Sequence, residues 1–330
     1  GWSPRPGVVS REGMYQYESH GIRSRSAKSD YAARPPAGIR RIAIYGDSFA
    51  HCDDVPFEHS WGYHLETAFH EDGGHSEVLN FGVSAYGMDQ ALQRWRYLGK
   101  RFSPAIVLFG FQGENVARNV NLLRGFYVRN TGIPFSKPRF LLDAHGRLQA
   151  INDPTLPVDT VPSVMANMTD WDLARHEWFY NPAESAPRWW HRSRFVSLLV
   201  ERFRNHSEPD NGDPYGVFEP GGEPERVTLQ ILREFREDVE KRRGRFYVVR
   251  LPKKSDLQRL ARGRPLASAR LWAKIAAEHR TIDPLPALQA AVARDGLDSQ
   301  FAAPKHAHYS DAANRIIARK IADALRTPGR

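Results

Sequence analysis

The chain has 330 residues, 41% of them hydrophobic and 26% charged, enough to bury a substantial apolar interior. No apolar run approaches the roughly 20 residues that a membrane-spanning helix needs. The single cysteine, Cys52, excludes an internal disulfide framework and any multi-cysteine zinc or iron–sulfur site. Lys and Arg outnumber Asp and Glu by 47 to 38, giving a net charge of +9. That surplus is dispersed, and its densest group, Lys241, Arg242, Arg243 and Arg245, ends a helical pattern where cations favour the C-terminal dipole, so no nucleic-acid partner is expected. The start at Gly1-Trp2 fits a processed precursor and carries the expectation of an exported protein.

Residues 1–38 are rich in Gly, Pro, Ser and Arg without a period and predict an extended arm. From residue 39 a single α/β domain is expected. Arg41-Ile42-Ala43-Ile44-Tyr45 is a short apolar run ending at Gly46, the profile of a buried parallel strand. Similar runs occur at 77–81, 105–110 and 245–251, with a weaker one at 280–283. Helical spacing lies between them: Met88, Leu92, Trp95 and Leu98; Ile231, Phe235 and Val239; Leu271 and Ile275; and finally Ile316, Ile317, Ile321 and Leu325. This alternation predicts a doubly wound, flavodoxin-like parallel sheet of about five strands with helices on both faces.

The stretch from about 126 to 222 breaks the rhythm. Residues 139–143 and 147–151 read as a hairpin, and Trp171, Trp178, Trp189 and Trp190 crowd the segment after it. An insertion after the third strand is placed to roof a site at the carboxyl ends of the strands. Its tryptophans read first as the core of that insertion and second as a sugar-stacking surface.

Three strand-to-helix turns and one C-terminal loop carry candidate chemistry. Gly46-Asp47-Ser48-Phe49 comes directly after the first strand, where Ser48 is either a helix cap or a nucleophile at the cleft. His308 lies just before the last helix, for which Ser310 is a natural N-cap, and a neighbouring imidazole is what a serine hydroxyl needs to become nucleophilic. Asn80 to Gly87 and Gly110 to Asn115 bring small residues and polar donors to the same rim, where an oxyanion hole needs them.

In this order the four segments resemble the conserved blocks of the SGNH hydrolases, the GDSL esterase and lipase superfamily, and Asp54-Val55 through Trp61 and Leu65 looks like the extended bacterial form of the first block. The resemblance implies a serine esterase with Ser48 as nucleophile, His308 as general base, and an oxyanion hole made by the backbone of Ser48 and Ala85 with the Asn115 side chain. It implies no cofactor. Two positions depart from the family pattern. Block three reads Glu114-Asn115 in place of Asn-Asp, so one register sets Asn115 as the donor and the other leaves Glu114 there. The family acid three residues before the histidine is replaced by Lys305, which leaves Asp298 or Asp283 as candidate third members, or a backbone carbonyl orienting a Ser–His dyad. The implied substrates are carboxylic esters, O-acetyl esters of carbohydrate among them. Water as acceptor gives an esterase and a sugar hydroxyl an O-acyltransferase; a non-catalytic carbohydrate-binding module on the same scaffold is a further alternative.

Metal chemistry has less support. His70-Glu71-Asp72-Gly73-Gly74-His75 has one residue too many for the helical zinc motif, and its glycines argue for a turn. His306 and His308 lack an accompanying carboxylate or cysteine cluster in the sequence around them. Cys52 reads as a small buried hydrophobe.

Overall fold

A computed structural model describes residues 1–10, 12–128, 131–182, 212–213, 215–302 and 308–326. Its centre is a seven-stranded sheet. In chain order the strands are β1 (Gln16–Tyr17), β2 (Arg23–Ser24), β3 (Arg40–Tyr45), β4 (Ser76–Asn80), β5 (Ile106–Phe111), β8 (Arg245–Arg250) and β9 (Thr281–Ile282), arranged β1-β2-β4-β3-β5-β8-β9. The five strands from β4 to β9 are parallel, so the expected doubly wound core is present. Where the sequence predicts only an extended arm, β1 and β2 pair antiparallel and β2 joins the edge of β4 through Arg23 and Asn80. The arm thereby covers an otherwise open sheet edge.

Each strand feeds both faces because alternate side chains point to opposite sides. Ala43, Tyr45, Val107, Phe109, Phe246 and Val248 enter one core. They meet α3 (Met88–Tyr97), α4 (Glu114–Asn119), α7 (Glu223–Glu240) and α9 (Ala269–Glu278) there. Ile42, Ile44, Ile106, Leu108, Tyr247 and Val249 enter the other, against α2 (Trp61–Glu71), α8 (Lys254–Ala261), α10 (Leu285–Asp295) and α11 (Asp311–Arg326). Phe235 of α7 is fully buried and its ring lies against those of Tyr45, Trp95, Phe109 and Phe246. The helical face read at fourfold spacing thus lands on the sheet.

After β5 the chain forms the short helix α5 (Arg124–Tyr127), the hairpin β6 (Arg139–Leu142) and β7 (Leu148–Ile151), in the register 139 opposite 151, and then α6 (Val161–Ala166). A separate small core gathers Leu122, Leu123, Val161 and Met168, with Trp171 packed against it. Trp178 is partly exposed, and its indole N–H donates to the Tyr215 carbonyl at 3.0 Å. Trp189 and Trp190 lie outside the described residues.

Candidate active site

The turns after β3, β4 and β5 all leave the carboxyl edge of the sheet, where open α/β sheets place their ligand clefts. The first is tightly built. Gly46 has φ +144°, and a Cβ there would stand 2.9 Å from the Gly110 carbonyl oxygen, so only glycine fits. Asp47 is wholly buried and caps α1 (Ser48–His51), accepting from the Phe49 N–H at 2.9 Å. Its second carboxylate oxygen accepts from Asn115 Nδ2 and Arg118 Nη1, both at 2.9 Å. Ser48 is therefore the first residue of a single helical turn, 8% exposed, with a backbone N–H that no intrahelical carbonyl reaches. Left-handed Cys52, at φ +63°, ends the turn. Trp61 closes the site from below by donating Nε1–H to the Phe49 carbonyl at 3.0 Å.

His308 comes to this turn from the far end of the chain. Its ring packs on Phe49, the neighbour of Ser48, with centroids 4.9 Å apart. Its Nδ1 lies 2.7 Å from Asp54 Oδ2. Since a carboxylate only accepts, Nδ1 carries the proton in this pair and Nε2 is left as the basic nitrogen. The two acids expected to orient His308 do other work. Asp298 is an exposed partner of Lys254 at 2.6 Å, and Asp283 pairs with Arg250 and caps the Leu285 N–H. The acid in contact with His308 is Asp54, six residues after Ser48. Lys305 and His306 lie outside the described residues.

The oxyanion candidates are placed unequally. Ala85 has φ +66°, a left-handed backbone that glycine adopts most easily. Asn115 is turned inward. Its Nδ2 donates to Asp47, and its Oδ1 accepts from the Gln112 N–H at 2.9 Å. The amide expected as an oxyanion donor therefore holds the buried Asp47 carboxylate through one of its two N–H groups. Glu114, in the other register, is also committed: Arg118 Nη2 donates to it at 2.7 Å and Lys253 Nζ at 3.2 Å. Burial alone would raise the Glu114 carboxyl, but these two cations hold it far below the usual carboxylate range. Burial opposes the charge on Arg118 as well, and Glu114 and Asp47 outweigh it.

Asp53, unremarked in the sequence, ties the first turn to the second. It pairs with His51 Nδ1, and Ser84 Oγ donates to it at 2.7 Å. Burial would raise the Asp53 carboxyl, yet His51 and the Ser84 hydroxyl hold it below its ordinary value. Gly82 rests on α1, where a Cβ would meet the His51 nitrogen at 2.4 Å. The adjacent acidic pair Asp53-Asp54 was a sequence signal for these contacts, but spacing from the histidine gave no way to find them. Cys52 is buried in the apolar core, which pushes its thiol up to about 12. Away from this rim, Glu18, His20 and Asp30 offer ligand atoms within 4.8 Å of one another, all of them engaged in local hydrogen bonds of the arm.

No protein-family model matches the sequence, and no curated protein matches it. Among solved structures the chain is similar to TesA, at 11% identity and a TM-score of 0.44, covering 87% of this chain and 98% of that one. It is similar to the acetylxylan esterase Axe2 from Geobacillus stearothermophilus, at 13% identity and a TM-score of 0.43, covering 88% and 95%. It is also similar to a lipolytic protein of the G-D-S-L family from Desulfitobacterium hafniense, at 12% identity and a TM-score of 0.40, covering 86% and 99%.

Proposed function

We propose that this protein is a serine hydrolase of the SGNH type that cleaves carboxylic esters through a Ser48 acyl-enzyme. The observation that carries the reading is the Asp54–His308 bond beside Phe49, because an imidazole fixed at Nδ1 by a carboxylate is what a serine nucleophile requires. His308 Nε2 takes the Ser48 proton as Ser48 Oγ bonds to the acyl carbon. The carbonyl oxygen becomes an oxyanion received by the Ser48 and Ala85 backbone N–H groups, each worth roughly 3–4 kcal/mol in measured cases. As the C–O bond to the alcohol breaks, His308 returns that proton to the leaving oxygen. Water, deprotonated by the same nitrogen, then cleaves the acyl-enzyme and regenerates the Ser48 hydroxyl. The net positive charge favours an acidic glycan as the alcohol component of the ester.

The test is labelling by a fluorophosphonate probe together with p-nitrophenyl acetate turnover. Labelling of the wild type that is lost in Ser48→Ala is expected. A wild type that neither labels nor turns over points instead to a binding module on this scaffold and ends the proposal.

A further inference from the structure

Asp54 sits in a loop that the N-terminal arm grips through Tyr15 and Arg23. Its backbone has φ +69°, a conformation that an Asp visits at a cost and that needs outside support. That support comes from the arm. The Asp54 N–H donates to the Tyr15 hydroxyl at 2.9 Å. The buried Arg23 guanidinium donates to the Cys52 and Val55 carbonyls, each at 2.6 Å, and also to the His51 carbonyl, so it brackets Asp54 on both sides. Arg23 in turn lies 5.0 Å over the Tyr15 ring, whose edge meets His51 at 5.1 Å. Tyr15 is itself fixed, since a small hairpin pairs its carbonyl with the Ser10 N–H and its N–H with Ser10 Oγ.

From these contacts we infer that Tyr15 is a positioning residue that sets the Asp54 carboxylate against His308, making the arm a working part of the site. The inference rests on the reading of Ser48 and His308 as the reacting pair. Without the hydroxyl, the Asp54 backbone can relax out of the left-handed region and carry its side chain away from Nδ1. Burial keeps the Tyr15 hydroxyl protonated, so it is a steady neutral partner at working pH.

The test compares full-length wild type, Tyr15→Phe and Asp54→Asn by p-nitrophenyl acetate kinetics, thermal melting and the far-downfield proton resonance of the His308 Nδ1–H, assigned by its loss in Asp54→Asn. In Tyr15→Phe, kcat should fall roughly ten- to a hundredfold with KM within about twofold, and the resonance should move while the melting temperature holds. Unchanged kcat and resonance overturn the inference. So does a loss of activity that tracks a lowered melting temperature with the resonance in place, since that is a fold effect. Arg23→Lys, which keeps the charge and loses the fork across the two carbonyls, must show the same kcat-only loss if Tyr15→Phe does not fold. If Ser48 proves unreactive in the wild type, the site reading fails on its own, and the resonance still decides whether Tyr15 sets Asp54.

Discussion

Asp54 Oδ2 and His308 Nδ1 lie 2.7 Å apart although 254 residues separate them in the chain. The contact fixes which imidazole nitrogen holds the proton, and Asp54→Asn tests its value. An amide there offers Nδ1 a donor or an acceptor indifferently and so admits the wrong tautomer. The variant should fold and melt as the wild type does, because Asp54 is on the rim. Its kcat for p-nitrophenyl acetate should fall by roughly 10⁴-fold, the loss seen when the acid of a serine–histidine–aspartate triad becomes an amide. A loss under about tenfold would place the orienting group elsewhere.

The strands and the long helices were legible because hydrophobic period reports burial, and burial is what the sheet core imposes. Runs at 41–45 and 245–251 became β3 and β8, and the spacing of Ile231, Phe235 and Val239 became the buried face of α7. The places of Ser48 beside a strand end and of His308 before a helix start were legible too. Asp54 was not. Its pairing depends on a left-handed backbone and on tertiary closure between the two ends of the chain, neither of which leaves a periodic trace. The strands β1 and β2 were hidden for a related reason: they are two residues each, and their pairing is decided by the edge of β4.

Asn115 offers a second test, aimed at the role it takes in the structure. Asn115→Ala leaves the buried Asp47 carboxylate without one donor and the Gln112 N–H without its acceptor. Losing partners from buried groups costs about 1–3 kcal/mol each. Chemical denaturation should therefore show a clear loss of stability together with lowered activity. An oxyanion donor that was nothing else would lose rate and keep its stability.

Gly82 sets the distance between the second turn and α1. A methyl group there would overlap the His51 nitrogen at 2.4 Å, with the Ala50 carbonyl carbon at 2.8 Å, and both atoms are backbone that cannot swing aside. Gly82→Ala should displace the turn carrying Ser48 and cost stability by overpacking, about 1–3 kcal/mol. Fluorophosphonate labelling should slow by more than the stability loss explains, because misplacement of about 1 Å can cost on the order of 100-fold in rate. Labelling at the wild-type rate would show that the turn moves without disturbing Ser48.

Glu114 provides a prediction in pH. Its carboxyl is held far below the ordinary glutamate range by Arg118 and Lys253, against the opposing effect of burial. A group whose folded-state pKa is depressed adds stability that is fully present above its unfolded value, about 4.3 for Glu, and loses it as pH falls towards the folded value. Glu114→Gln, of the same shape and without the charge, should melt below the wild type by a constant margin above about pH 5.5. The margin should narrow steadily below about pH 4, as the wild type's native state keeps a charge that its unfolded chain gives up. Melting curves of both proteins between about pH 2.5 and 7 measure this directly. A margin independent of pH would mean that the difference between the two proteins does not come from the Glu114 charge, and that this charge beside the Ser48 turn contributes nothing to holding Arg118 against Asp47.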